Sequence, residues 1–285
     1  MSTPDYIKTI PEFEIANNTV IGGKNPFVLM AGPNVIESEK LTCTIAEELL
    51  NIVSTLDIPF VFKASYDKAN RSSVHSFRGP GLKEGLQILK IIKSRYKIPL
   101  ITDVHAVEEV GPVAEVVDII QIPAFLCRQT DLVLAAARTG KVVNIKKGQF
   151  LAPWDVKAIV EKIQSQQNEK ILLTERGTSF GYNNLVVDMT TFPIMRQLGY
   201  PVVFDVTHST QLPTGLGHAT GGRRKMIPYL AHAAVAAGID ALFLEVHPEP
   251  DQAKCDAESC TPLHAVSSLL SSLKGIDRHI KQFSK

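Results

Sequence analysis

Lys63, Lys146 and Arg176 each stand at or just past the end of a short apolar run, as do Asn34, Asp103, Gln121, His208 and Glu245. The eight runs with their endings read FVLMAGPN, FVFKAS, LITDVH, DIIQIP, VVNIKKG, ILLTERG, VVFDVTH and LFLEVHP. Cations at such exits suit an anion, because a phosphate or carboxylate needs neutralising charge together with directed donors. The segment KASYDKANRSS, residues 63 to 73, adds Lys68 and Arg71, with Ser65, Asn70 and Ser72 as small polar neighbours. Alone it would read as a solvated basic loop. Behind a buried strand, with Lys146, Lys147 and Arg176 expected on the same face, it reads as an anion cradle. A desolvated strand-end lysine can also form an imine with a carbonyl substrate. Neighbouring cations favour that chemistry too, but they are equally what a phosphate site requires, so anion binding is the preferred reading.

His208, Glu245 and Asp256 fall in VTHSTQ, EVHPEP and CDAES, at the last two runs and the loop beyond. Such a trio can ligate a divalent metal, or it can hold and polarise a water by hydrogen bonds alone. His218 and His247 are better explained by ring packing or a solvated loop. GLGHATGG has the wrong glycine spacing for a dinucleotide fingerprint and opens no helix after a first strand.

Residues so far apart in sequence meet only if every strand points the same way. In a parallel barrel the carboxyl ends of all eight strands converge on one face. The runs are rich in Val, Ile, Leu and Phe without polar alternation, as strands covered on both faces should be. Helical periodicity fills the gaps between them. Ser38 is placed to cap a helix carrying Leu41, Ile45, Leu49, Ile52 and Leu56 on one face. Pro153 suits a first helical turn ahead of Val156, Ile159, Val160 and Ile163. Strand and helix in alternation give right-handed parallel crossovers, hence α/β architecture and a single (β/α)8 TIM barrel over residues 1–285. Residues 1–22 form an amino-terminal extension, within which EFEIANNTVIG predicts a hairpin turning at Asn17-Asn18 and capping the barrel bottom. The stretch from about Thr207 to Arg224 lacks periodicity and is expected to act as a lid at the catalytic face.

Composition narrows the class. Lys plus Arg number 30 against 29 Asp plus Glu, so nothing points to a nucleic-acid or membrane partner. Four scattered cysteines without a C-x-x-C pair predict reduced thiols. The start MSTPDYIKTI lacks the features of a signal peptide, and no apolar stretch approaches the roughly 20 residues of a membrane span, so a cytoplasmic protein is expected.

The strings AGPN-x-IES, KASYDKANRSS, TDVH, QIPAFLCRQTDL, NIKKGQF-x-AP, TERG-x-x-FGYNNLVVDM, FDVTHS-x-Q, GGRR and LE-x-HP-x-P-x-x-AKCD together resemble the 3-deoxy-D-manno-octulosonate 8-phosphate synthases, from about residue 27 to residue 263. The related 3-deoxy-heptulosonate 7-phosphate synthases share the barrel and phosphoenolpyruvate, but carry K-P-R-T-S where this chain has KANRSS. That difference favours arabinose 5-phosphate over erythrose 4-phosphate as acceptor. The resemblance implies a transferase that condenses phosphoenolpyruvate with arabinose 5-phosphate, for lipopolysaccharide or a plant cell-wall polymer.

By the same resemblance, Lys63, Ser65, Lys68, Gln121, Lys146 and Arg176 hold phosphoenolpyruvate, and Asn70, Arg71 and Ser72 hold the sugar phosphate. Asp103 joins the substrate-binding set from the third strand exit. Arg128, in LCRQTDL, reaches the sugar phosphate from a neighbouring subunit of a homotetramer. Lys68 is the candidate proton donor to the aldehyde oxygen, while Asn34, His208, Glu245 and Asp256 form the catalytic cluster around the attacking water. Members that need a divalent metal have cysteine in AGPC. Asn34 stands there in this chain, and an amide oxygen is a poor substitute for a thiolate, so neither metal nor other cofactor is expected. CDAES also departs from the C-D-G-P-S of many metal-independent members.

Overall fold

The computed structural model describes residues 8–213 and 221–283. Its centre is a ring of parallel strands: β1 Val28–Gly32, β2 Phe60–Lys63, β3 Leu100–Asp103, β4 Ile119–Ile122, β5 Val142–Lys146, β6 Ile171–Glu175, β7 Val202–Asp205 and β8 Ala241–His247. Each pairs with the next in chain order, and β8 returns to β1, with Ala241 opposite Val28 and Glu245 opposite Gly32. The outer layer comprises α1 Glu39–Leu56, α2 Leu82–Tyr96, α3 Val107–Ala114, α4 Thr130–Arg138, α5 Lys157–Gln164, α6 Thr191–Arg196, α7 Ile227–Ala236 and α8 Val266–Lys281. The (β/α)8 barrel is therefore the observed fold.

Side chains on a strand alternate between faces, and here the alternation separates two cores. Val28, Met30, Val61, Ile101, Ile119, Val142, Leu172, Val203, Ala241 and Phe243 pack inside the barrel, whereas Leu29, Phe62, Leu100, Ile120, Val143, Leu173, Phe204 and Leu242 pack outward against the helices. Followed along each strand, the inward column changes character. Apolar residues fill the lower lumen, then Thr174 donates to Asn144 (2.6 Å) and Asn144 to Gln121 (3.0 Å) in a polar middle band. Above this band come Lys63, Asp103, Lys146, Asp205 and Glu245, all buried.

The same two-residue period corrects one expectation. Lys146 shares the inward parity of Val142 and Asn144, so Lys147 turns outward, away from the anion face, and lies 3.4 Å from Glu175 at the end of β6.

Local signals were realised where expected. Ser38 accepts from Leu41 N (3.2 Å) and caps α1, whose Ile45 and Leu49 are buried. Pro153 opens a 3-10 turn, Pro153–Val156, that leads into α5. Phe13–Ala16 and Thr19–Ile21 pair antiparallel, with Asn17 and Asn18 both at positive φ (50° and 62°), as a type I′ turn demands. Ile21 joins the lumen core and Phe13 and Ile15 pack against it, so the hairpin plugs the amino-terminal mouth.

The stretch read as a lid contains a helical turn, Val206–Ser209, and a two-residue antiparallel pairing of Gln211–Leu212 with Gly221–Gly222. The remainder of that stretch, 214–220 with His218, lies outside the described residues. Among the described residues no helix is long and apolar enough to cross a membrane.

Candidate active site

Glu245, at the upper end of β8, is the pillar of the site. It is fully buried, and Lys63 Nζ lies 2.5 Å from its Oε1 while Lys68 Nζ lies 3.7 Å from the same oxygen. Its other oxygen accepts from the Asn34 amide and lies 3.5 Å from His208 Nε2. Burial alone would raise its pKa, but the charges of His208, Lys63 and Lys68 outweigh burial and bring it to about 2. The two lysines respond oppositely to their surroundings. Burial brings the Lys63 ammonium down to about 8 against the pull of Glu245, with the Lys68 charge adding to the fall. Burial acts on Lys68 too, but Glu245 and Asp103 overcome it and hold this ammonium well above its ordinary range.

A second buried acid, Asp205, ties Lys146 to His208. Its Oδ2 accepts from Lys146 Nζ and lies 2.7 Å from His208 Nδ1, while its Oδ1 accepts from the His208 backbone N–H at 3.0 Å. The same carboxylate thereby caps the turn Val206–Ser209 and fixes the imidazole. Burial would raise the Asp205 carboxyl, yet His208 and Lys146 keep it far below the usual carboxylate range. The Lys146 ammonium also sits 3.6 Å from the centroid of the Phe243 ring, a cation–π contact. Arg176, just past β6, donates from one terminal nitrogen to Gln211 (2.7 Å), and its other terminal nitrogen is buried without a partner among the described residues.

Asp103 forms a third node. It accepts from the Ser65 hydroxyl and from His105 Nε2 (3.1 Å), and His105 N also donates to Glu109 (2.7 Å). Burial would lower the His105 pKa, but Asp103 and Glu109 raise it. Across the opening, Arg71 Nη1 lies 2.6 Å from Cys255 Sγ and 4.0 Å from Asp256 Oδ1. Asp256 also accepts from the Asn34 amide at 2.9 Å.

These nodes surround a cavity of about 390 Å³ at the carboxyl ends of the strands. Lys68, Asn70, Arg71 and Ser72 line one side, and Asp103, Gln121, Lys146, Arg176, His208 and Asp256 line the rest. Asn34, Lys63, Ser65 and Glu245 are buried and do not line it; they underlie its wall. Arg128 stands apart, exposed ahead of α4 and outside its own chain's cavity. His247 is occupied by its own loop, with Nδ1 2.7 Å from Glu249 O. The cavity also takes residues that strand-end reading did not single out: His105, Gln149 and Gln211, with Asp205 behind Lys146 and His208. Only His105 and Asp205 carried a usable signal, since TDVH and FDVTHS place a charged or titratable group beside one already chosen.

Chemically the arrangement can hold anions among several buried cations whose present partners are carboxylates. Ligand atoms of His208, Glu245 and Asp256 all lie within 4.8 Å of one another, close enough for a metal ion. Asn34, however, directs its amide hydrogens at both Glu245 and Asp256. A donor in that position satisfies the two carboxylates without a cation and does not fit as a fourth ligand to a soft or borderline ion.

A family model described as the DAHP synthetase I family matches residues 10–282. Relatives named 2-dehydro-3-deoxyphosphooctonate aldolase are similar throughout. That of Geobacter metallireducens is 61% identical over 269 residues, covering 94% of this chain and 99% of its own. That of Geotalea uraniireducens is 59% identical over 264 residues, covering 93% and 97%. That of Geobacter sulfurreducens is 58% identical over 261 residues, covering 92% and 96%.

Proposed function

The chain belongs to the DAHP synthetase I family, and from that premise we propose that it condenses phosphoenolpyruvate, D-arabinose 5-phosphate and water to 3-deoxy-D-manno-octulosonate 8-phosphate and inorganic phosphate. The family description alone would also fit a heptulosonate synthase acting on erythrose 4-phosphate. The octonate named in the relatives at 59% and 61% identity favours the five-carbon acceptor. The observation that carries the reading is the buried cation set of Lys68, Lys146 and Arg176 around one cavity, with a guanidinium nitrogen of Arg176 left without a partner among the described residues. Such a group is costly to bury unless a ligand completes it.

In this reading Lys146, Arg176, Gln121 and Lys68 hold the phosphate and carboxylate of phosphoenolpyruvate, with Lys63 and Ser65 supporting them from beneath. Asn70, Arg71 and Ser72 receive the sugar phosphate, and Asp103 accepts a sugar hydroxyl. C3 of the enol attacks the aldehyde carbon. Lys68 stabilises the developing alkoxide and protonates it, which a strongly basic alkoxide permits even from an ammonium held above its ordinary range. Attack leaves C2 electron-deficient, and water adds there, oriented by His208, Asn34 and Asp256 around Glu245; as the C2–O bond breaks and C2 becomes the ketone, one of the water's two protons restores Lys68 and the other leaves with phosphate. Much of the rate comes from holding two anionic reactants in register and away from bulk water.

Asn34, donating to both acids, supports a reaction that runs without metal or other cofactor. The active form is a homotetramer in which Arg128 completes a neighbour's site. Phe125 (57% exposed), Trp154 (65%) and Phe180 (73%), on the loops that follow β4, β5 and β6, support such a contact beside Arg128. The chain works as one catalytic unit over residues 1–285 in the cytoplasm, a placement supported by four free, buried cysteines. The test is phosphate release from phosphoenolpyruvate with each sugar phosphate separately. Arabinose 5-phosphate should drive it; comparable kcat/KM with erythrose 4-phosphate would overturn the assignment.

A further inference from the structure

Lys147 and Glu175 are each about 1% exposed, yet neither lines the cavity. They occupy adjacent strand ends with opposite parity to the cations that do. Lys147 follows Lys146 and turns outward; Glu175 precedes Arg176 and also turns outward. Lys147 Nζ, 3.4 Å from Glu175 Oε2, donates to Leu151 O (3.1 Å) and to the Thr178 hydroxyl (3.0 Å). Glu175 Oε1 accepts from Gly177 N at 2.5 Å, bracketing the backbone of Arg176 between its own anchor points. The loop after β5 is joined again to the segment after β6, because Ser179 N donates to Gln149 O at 3.0 Å.

We propose that the Lys147–Glu175 pair is a positioning device: it clamps the ends of β5 and β6 from outside the barrel and thereby sets the spacing of Lys146 and Arg176 inside it. Two cations serving one anion must be held at a fixed separation, yet they repel each other. A buried ion pair of opposite sign on the outer face of the same two strands opposes that repulsion and restricts both exits. Neither residue touches substrate. The proposal rests on the anion-binding role given above to Lys146 and Arg176.

The test uses the full-length protein with Lys147→Met, Glu175→Gln and the double substitution, titrated calorimetrically with phosphoenolpyruvate, inorganic phosphate and arabinose 5-phosphate. Glu175→Gln keeps an acceptor for Gly177 N and decides the matter if Lys147→Met does not fold. Each single change should weaken phosphoenolpyruvate and phosphate about tenfold, as displaced positioning groups do, and leave arabinose 5-phosphate within about twofold. The double variant should bind no worse than the weaker single, since both changes break one contact. Unchanged anion affinity, equal weakening of all three ligands, or additive losses would each overturn the clamp. Wild-type protein that binds phosphate but not phosphoenolpyruvate would instead sink the substrate assignment, and the clamp is then judged on phosphate alone. If neither binds, both fall.

Discussion

Replacing Asp205 by Asn is the sharpest test of how the site is organised. The change is isosteric, and its outcome follows from three contacts of the carboxylate. Oδ1 caps the His208 backbone N–H at 3.0 Å, and an asparagine oxygen can keep that bond. Keeping it places the new NH2 where Oδ2 was, facing Lys146 Nζ and His208 Nδ1, so a donor confronts one obligate donor and one ring that must change tautomer. Two charge-assisted contacts are lost, at about 1.5–3 kcal/mol each. The sum, about 3–6 kcal/mol of transition-state stabilisation, corresponds to roughly 10²–10⁴ in kcat/KM. Continuous phosphate release with both substrates varied measures it, and a thermal melt separates it from unfolding. A loss below about threefold in a folded variant would refute the claim that Asp205 orients Lys146 and His208.

Exhaustive chelator treatment should leave activity intact, whereas Asn34→Cys should acquire a divalent ion, measured by elemental analysis, because a thiolate joins His208, Glu245 and Asp256; activity that vanishes with chelator and returns with a stoichiometric ion would show Asn34 misread. Mixing Arg128→Ala subunits with inactive Lys68→Ala subunits should restore activity above either parent, and its absence despite confirmed subunit exchange would place Arg128 within its own chain's work. Raising pH through about 8 should discharge Lys63 and bring down kcat/KM on the alkaline side. Stability should move the other way between about 8 and its ordinary 10.5, because there the unfolded chain binds a proton that the folded chain has lost. A flat activity profile from about pH 7 to 9 would contradict the placement of Lys63 beneath the site.

Eight strand exits, the Ser38 cap and the Asn17-Asn18 turn were legible because each depends on chemistry within a few residues. The direction of Lys147 was equally available, by counting one step on from Lys146, but a doublet of lysines invites reading both as one feature. Asp205 was harder. Its value lies in a partner 59 residues earlier, Lys146, and the neighbouring FDVTH string shows only the histidine half of the arrangement. Gln149 and Gln211 carry no charge and lie beyond the ends of the barrel strands, so no local pattern marks them. Arg128 is the converse case: its string is distinctive, but the cavity it is expected to serve belongs to a neighbouring subunit, and a single chain shows only that the side chain lies outside its own.

The hairpin that seals the lower mouth makes the barrel a blind alley. Ile21 shares one buried core with Val28, Ile101 and Leu172, so among the described residues the lower lumen is filled with apolar side chains. In this reading two reactants, a water, a sugar acid and a phosphate must share one doorway. No fresh molecule can push a spent one out from behind. Traffic at that doorway, whose lining includes Arg71 and Gln211, is then as much a part of turnover as bond making.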